Sequence, residues 1–183
     1  VGGKSATGEA SDNIVNLANA TIANVTGGEG ATTNNNTINL NGNAQIAGTL
    51  TGGSQANGTG NTLNVKGVNS AGTIAGFQKL HFDTTGATAA NPLLNITGGA
   101  TNLDWNTLDA SGTSVNRMTL LKNAAGINLS NHTPGTVKSK INEAGTTEYN
   151  IDVAKTGSTV TDITYQGYQF KGKATATTEG SDT

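Results

Sequence analysis

The sequence predicts an all-β protein built as a parallel β-helix (a solenoid), with a hairpin-like capping region toward the C-terminus. Two observations predict this fold class. Hydrophobic residues make up only 33% and charged residues 12% of the chain, so little material is left for a conventional core. A short pattern of polar and aliphatic residues also recurs about every two dozen residues, the length of one solenoid coil.

Low hydrophobicity alone would indicate disorder, but disordered chains usually combine it with high net charge and abundant proline. This chain has a net charge of -2 and only two prolines. Stacked coils offer another route to order, because they satisfy backbone groups along a ladder and need only a narrow apolar interior. We therefore interpret the Gly, Asn and Thr content as that of a repeat protein.

The repeat has the form Asn-x-aliphatic-Asn-aliphatic and occurs at 13–17, 36–40 and 61–65, with starts 23 and 25 residues apart. Because successive side chains of a strand point to opposite faces, the aliphatic residues of each copy share one face. The second asparagine of each copy points the other way; these residues are Asn16, Asn39 and Asn64.

The first asparagine of each copy falls on the same parity as the aliphatic residues. These residues are Asn13, Asn36 and Asn61. Two structural roles remain open for them. They can stack and hydrogen-bond between adjacent coils, or they can cap turns by bonding nearby backbone.

Further strands follow the three copies. Ile22, Ile46 with Leu50, and Ile74 mark a second strand in each repeat. From Thr73 to Phe82 the pattern predicts one longer, strand-rich coil, and 93–99 and 103–108 have the pattern of degraded coils. The segment 117–122 fits either another strand or a short helical turn. We place the coils at residues 1–122.

Residues 123–174 alternate polar and apolar side chains between Gly145, Gly157 and Gly167, a pattern typical of antiparallel hairpins. A solenoid ends in unpaired strand edges, which natural proteins cover. We therefore predict that this region caps the solenoid, and that 175–183 are a disordered tail or linker.

Charge and composition limit the partners. The isoelectric point is near 5.6 and the chain has a single arginine, Arg117, so no basic stripe is available for phosphates. We expect no nucleic-acid binding and no membrane insertion, since no apolar run reaches the length of a span. Cysteine is absent. The chain also has no leader segment, from which we expect an excised or mature portion of a protein.

A few residues could support chemistry. His81 and Asp83 share one face of a strand and could exchange protons, although such pairs more often decorate a solvent face. Asp104 and Asp109 could form a carboxylate pair for glycoside hydrolysis, with Trp105 between them either stacking on a sugar or filling the interior. We predict no catalytic residue, no metal site and no cofactor.

The tandem Asn-x-Ile/Val-Asn-Leu units ending in Gly-Gly, and the run Asn61–Gly67 followed by Thr73–Phe82, resemble the passenger region of a classical (type V secretion) autotransporter. The resemblance covers residues 13–122. It implies a right-handed parallel β-helix. A C-terminal outer-membrane barrel, which is not present in this sequence, would carry this β-helix to the cell surface. The resemblance also implies that the tail helps the passenger fold during export. No catalytic residue carries over from it.

We accordingly expect a non-enzymatic, adhesin-like segment or stalk on the bacterial cell surface, monomeric in solution. Its partners would be host or bacterial surface glycans or proteins, or further copies of itself. The predicted ligand-binding residues are Asn16, Asn39, Asn64 and Trp105. Two alternatives stay open: a β-helical enzyme that binds or cleaves polysaccharides, with charged residues clustered on successive coils, and an obligately trimeric fibre or tail-spike stalk.

Overall fold

Stacked parallel strands make up most of the molecule, which confirms the predicted all-β solenoid; it has about five turns. The structure is a computed structural model and describes residues 1–112, 114, 116–133, 138–141, 147–156 and 159–170. Within these ranges the single helical element is a 3-10 turn at Trp105–Thr107. No helix in the described part of the chain is long and apolar enough to cross a membrane.

One face of the solenoid is a sheet of five parallel strands, which we call sheet I. Its spatial order is β2, β5, β7, β9, β12. The strands are β2 (Ile14–Leu17), β5 (Thr37–Asn41), β7 (Thr62–Lys66), β9 (Lys79–Asp83) and β12 (Leu108–Ser111). Each of the first four coils thus contributes one strand, and β12 is added by a later segment.

The other strands belong to a larger sheet, sheet II, in which β6 is long enough to pair with two shorter strands on one side. The first half of β6 pairs with β3 and its second half with β4. The parallel strands of sheet II are β1 (Gly3–Lys4), β3 (Ala20–Ile22), β4 (Val25–Glu29), β6 (Ala44–Gly53), β8 (Asn69–Ala75), β10 (Leu94–Ile96), β11 (Thr101–Asp104) and β13 (Met118–Ser130).

The strand register of sheet I aligns the sequence repeats as predicted. Asn16 pairs with Asn39, and Asn39 with Asn64. The aliphatic residues point inward and form two apolar rows that fill the core behind the sheet. These rows are Val15, Ile38, Leu63, Leu80, Leu108 and Leu17, Leu40, Val65, Phe82, Ala110.

Inside the solenoid, the first asparagine of each repeat forms a ladder that we call the inner ladder. Asn13 Nδ2 donates to Asn36 Oδ1 at 2.7 Å, and Asn36 Nδ2 donates to Asn61 Oδ1 at 3.0 Å. Asn36 and Asn61 are fully buried, so each amide requires partners. Gln78 ends the series, because its Oε1 accepts the backbone N–H of Asn61 at 2.9 Å. The stacking role predicted for these residues is confirmed.

The Gly-Gly pairs of the repeat pass directly over the inner ladder. A methyl group at Gly28 would overlap the carbonyl oxygen of Ala10 and lie 2.7 Å from Asn36 Nδ2. At Gly53 it would lie 2.8 Å from Asn61 Nδ2. The backbone can therefore approach the amides only where the side chain is a hydrogen atom, which explains why asparagine and Gly-Gly recur together.

The sequence predicts one longer, strand-rich coil at 73–82, but the coil that begins at Asn61 is shorter than the coils before it. Asn61 is only 17 residues from its counterpart Gln78, against 25 between Asn36 and Asn61. The chain turns at Gly76, where φ is +67°, so 73–82 is divided between β8 and β9 on two faces. The side chain of Phe77 packs against the core at this turn, and the loop found in the earlier coils is absent from this coil.

Beyond the coils, antiparallel strands confirm the predicted hairpin-like capping region. Strand β13 pairs in parallel with β10 and β11, and antiparallel with β16 (Thr159–Phe170). Strands β15 (Thr147–Thr156) and β14 (Lys138–Ile141) continue this antiparallel order. The expected boundary after Lys122 falls inside β13, which is shared by both regions. The tail at 175–183, with Gly145 and Gly157, lies outside the described residues.

Candidate functional site

Three side-chain rows run along the solenoid axis on the outward face of sheet I. One of them contains Ile14, Thr37, Thr62 and Lys79, and the other two concern the candidate site. The first of these two, which we call the outer row, contains Asn16, Asn39, Asn64, His81 and Asp109. The second row contains Asn41, Lys66, Asp83 and Ser111. Both rows are polar throughout, and one residue of each row comes from every coil that they cross.

The three asparagines of the outer row are hydrogen-bonded to each other. Asn39 Nδ2 donates to Asn16 Oδ1 at 2.7 Å, and Asn64 Nδ2 donates to Asn39 Oδ1 at 2.8 Å. An amide group carries two N–H donors and two acceptor lone pairs, so each amide keeps hydrogen-bonding capacity after these contacts. The row therefore holds its amides in one orientation while leaving donors and acceptors for a ligand.

After Asn64 the outer row continues with the imidazole of His81 and the carboxylate of Asp109 in place of amides. The hydroxyl of Ser111, in the second row, lies next to them. His81 Nδ1 lies 3.4 Å from Asp109 Oδ2, and His81 Nε2 lies 2.7 Å from Ser111 Oγ. Asp83 shares its strand face with His81, as the sequence predicts, but its carboxylate contacts Lys66, with Lys66 Nζ and Asp83 Oδ2 3.5 Å apart. No sequence motif indicates Ser111, which reaches His81 only through the strand register.

Among the described residues, Asp83 has a carboxyl whose pKa departs from its ordinary value. Partial burial raises the pKa of this carboxyl, but two contacts act in the opposite direction. Its Oδ1 accepts the backbone N–H of Thr85 at 2.9 Å, and the Lys66 ammonium attracts the carboxylate. Together they hold the pKa of Asp83 below its ordinary value.

A shallow depression of about 190 Å³ lies between the two rows. Its polar lining combines amides, an ammonium, an imidazole, a carboxylate and a hydroxyl. The residues that supply these groups are Asn41, Asn64, Lys66, His81, Asp83 and Ser111. The depression therefore places five kinds of hydrogen-bonding group around one small volume.

Trp105, the fourth predicted ligand-binding residue, is not on this face. Its side chain is buried, with 5% of the residue exposed, and its ring meets the ring of His132 edge to face at 4.8 Å. Sugar stacking needs an exposed ring face, so this burial agrees with the interior alternative. Asp104 caps the 3-10 turn by accepting the N–H of Asn106, while Asp109 faces His81, and the two carboxylates thus serve different partners.

Comparison with known proteins gives this chain no relatives: no family model, no curated protein and no solved structure matches it. The fold and the site thus define a β-solenoid with a polar, hydrogen-bonded face. Because one fold hosts many unrelated functions, the function has to be argued from the side chains of sheet I.

Proposed function

We propose that this chain is part of an autotransporter-type passenger and acts at the bacterial cell surface as an adhesive module. Its outward face on sheet I would bind surface glycans or proteins of host or bacterial cells. The observation that carries the proposal is the hydrogen-bonded series of Asn16, Asn39 and Asn64. Their neighbouring strands place the amides about 4.8 Å apart.

Three features of this series favour binding. The amides are ordered before a ligand arrives, so less side-chain entropy is lost on contact. Each amide can both donate and accept, which matches sugar hydroxyls and peptide groups alike. The series is uncharged, and its affinity would therefore depend little on salt, in contrast with a charged patch. Several individually weak contacts along one rigid face then give a usable affinity.

The capping region supports the same proposal from the other end of the coils. Strand β16 covers the edge of β13 that a further parallel coil would otherwise occupy. The edge of β13 is thereby paired, and this end of the sheet is formed by β14 of the capping region instead of by a coil. We assign to this region the role that the autotransporter resemblance implies, namely to complete the folding of the coils during export.

The test is direct binding of the purified, monodisperse protein to glycans, matrix proteins and cells displaying the same chain. We expect saturable binding to one of these classes, weakened at least tenfold when Asn16, Asn39 and Asn64 are all changed to alanine. The matched control is Asn102→Ala/Asn128→Ala, because Asn128 Nδ2 donates to Asn102 Oδ1 at 2.9 Å in the same manner on sheet II.

Equal loss of binding in both variants, or no binding by the folded wild type, would contradict the proposal. Sedimentation belongs in the same experiment, because the adhesive module is expected to be a monomer. A stable trimer would favour the fibre alternative instead.

A further inference from the structure

Beyond adhesion, we propose that Ser111, His81 and Asp109 form a nucleophilic site on sheet I that cleaves small esters. The proposal rests on the order of the three side chains and runs against the expectation, drawn from the sequence, that the chain has no catalytic residue. Of the three asparagines on which the adhesive function depends, Asn64 lines the depression beside this site, and none of them takes part in the chemistry.

The strand register brings the three groups together. Asp109 and Ser111 are two residues apart on β12 and so point to the same face. His81 on β9 is the register partner of Asp109. Its Nδ1 faces Asp109 Oδ2 at 3.4 Å and its Nε2 faces Ser111 Oγ at 2.7 Å. This is the carboxylate–imidazole–hydroxyl order by which a serine nucleophile is recognised on any fold.

The position of Asp109 fixes which imidazole nitrogen carries the proton. A carboxylate beside Nδ1 favours the tautomer with hydrogen on Nδ1. The lone pair of Nε2 is then directed at Ser111 and can accept its hydroxyl proton. Asp109 is half-exposed, so it orients the ring and stabilises the imidazolium without the full strength of a buried carboxylate.

The reaction is a two-step ester hydrolysis. Ser111 Oγ attacks the ester carbonyl carbon while its proton passes to His81 Nε2, and the tetrahedral oxyanion forms. The carbonyl then re-forms, the bond to the alcohol oxygen breaks, and the alcohol leaves with the proton from His81. A water molecule next attacks the acyl-serine and gives a proton to His81. The acid departs as Oγ takes this proton back, so ester and water become acid and alcohol.

The depression beside Ser111 sets the substrate class. Its volume of about 190 Å³ is enough for a short acyl group such as acetyl. Lys66 lines the same depression and would supply positive charge toward a developing oxyanion. Since Lys66 is also paired with Asp83, we expect slow turnover and a preference for activated or short-chain esters.

The test combines covalent labelling with turnover. A fluorophosphonate should label Ser111, located by peptide mass spectrometry, and p-nitrophenyl acetate should give a burst equal to the protein concentration. Ser111→Ala should abolish both, and His81→Gln should slow labelling by about a hundredfold or more, the usual contribution of a general base. Asp109→Asn should slow it about tenfold. Ser70→Ala, on β8 of sheet II, is the control and should change neither rate.

The pH profile separates catalysis from a structural role. Labelling of the wild type should depend on pH, and this dependence should disappear in His81→Gln. The proposal is overturned if Ser111 reacts no faster than Ser70, or if the His81 substitution leaves its rate unchanged. Either result leaves the adhesive function intact, because the asparagine variants are tested by binding alone.

Discussion

The clearest quantitative prediction compares two asparagines of one strand, since Asn36 lies in the inner ladder and Asn39 in the outer row. The perturbation is Asn36→Ala. The Asn36 side chain donates to Asn61 Oδ1 and accepts from both the backbone N–H and Nδ2 of Asn13, at 3.0, 3.1 and 2.7 Å. All three bonds would be lost in a position with no solvent exposure.

The magnitude follows from these contacts. A buried hydrogen bond contributes about 1 kcal/mol net, and a donor left without a partner costs a similar further amount. Asn36→Ala should therefore lower the free energy of unfolding by about 3 kcal/mol. Asn39→Ala also removes two amide contacts, but water can replace them at the surface, so its cost should stay near 0.5 kcal/mol.

Equilibrium unfolding in urea, followed by far-ultraviolet circular dichroism, measures the difference. With a slope of about 2 kcal/mol per molar urea, Asn36→Ala should shift the midpoint downward by roughly 1.5 M and Asn39→Ala by a quarter of a molar or less. The two variants have the same residue change on the same strand. Equal shifts would refute the reasoning that burial, and not the ladder itself, determines the cost.

Two further predictions concern stability. Gly28→Ala places a methyl group against the Ala10 carbonyl and should cost about 2 kcal/mol, whereas Gly99→Ala, which meets no atom within 4 Å, should be nearly neutral in the same urea assay. The pKa of Asp83 is lowered in the folded state, so its stabilising contribution is present above the unfolded-state pKa and is lost as pH falls through the lowered folded value. Asp83→Asn should therefore flatten the fall in melting temperature between pH 6 and pH 2, as measured by calorimetry; an unchanged slope would contradict the assigned contacts.

The first three coils could be predicted from the sequence because their period, parity and loop lengths all agree. The alternation within 36–40 and 61–65 determines which side chains point inward, and this determines the register. Asn16, Asn39 and Asn64 consequently align as the pattern predicts. The pairing of Gly-Gly with asparagine was visible in the same segments, but its physical reason appears only when the backbone of one coil is seen to cross the amide of another.

The later coils were harder to predict because their loops vary while their strands do not. Strand β9 has histidine where the repeat has asparagine. The coil that leads from β7 through β8 to β9 is also shortened, with 17 residues between Asn61 and Gln78, so the sequence pattern does not show that β9 belongs to sheet I. Asp109 and Ser111 reach His81 across the register of β9 and β12. A site assembled between strands in this way leaves no spacing motif, since the length of the intervening loops is unrelated to the chemistry.

The inner ladder has a mechanical consequence for a solenoid that is pulled along its axis. Hydrogen bonds between coils run along the solenoid axis, and each coil advances it by about 4.8 Å. A pull along that axis therefore places the hydrogen bonds between each pair of successive coils under tension. We call each such set of contacts a coil boundary. The amide contacts from Asn13 through Asn36 to Asn61 reinforce two such boundaries from within, where water cannot compete. Under shear from flowing liquid, rupture should begin at boundaries that lack this internal reinforcement.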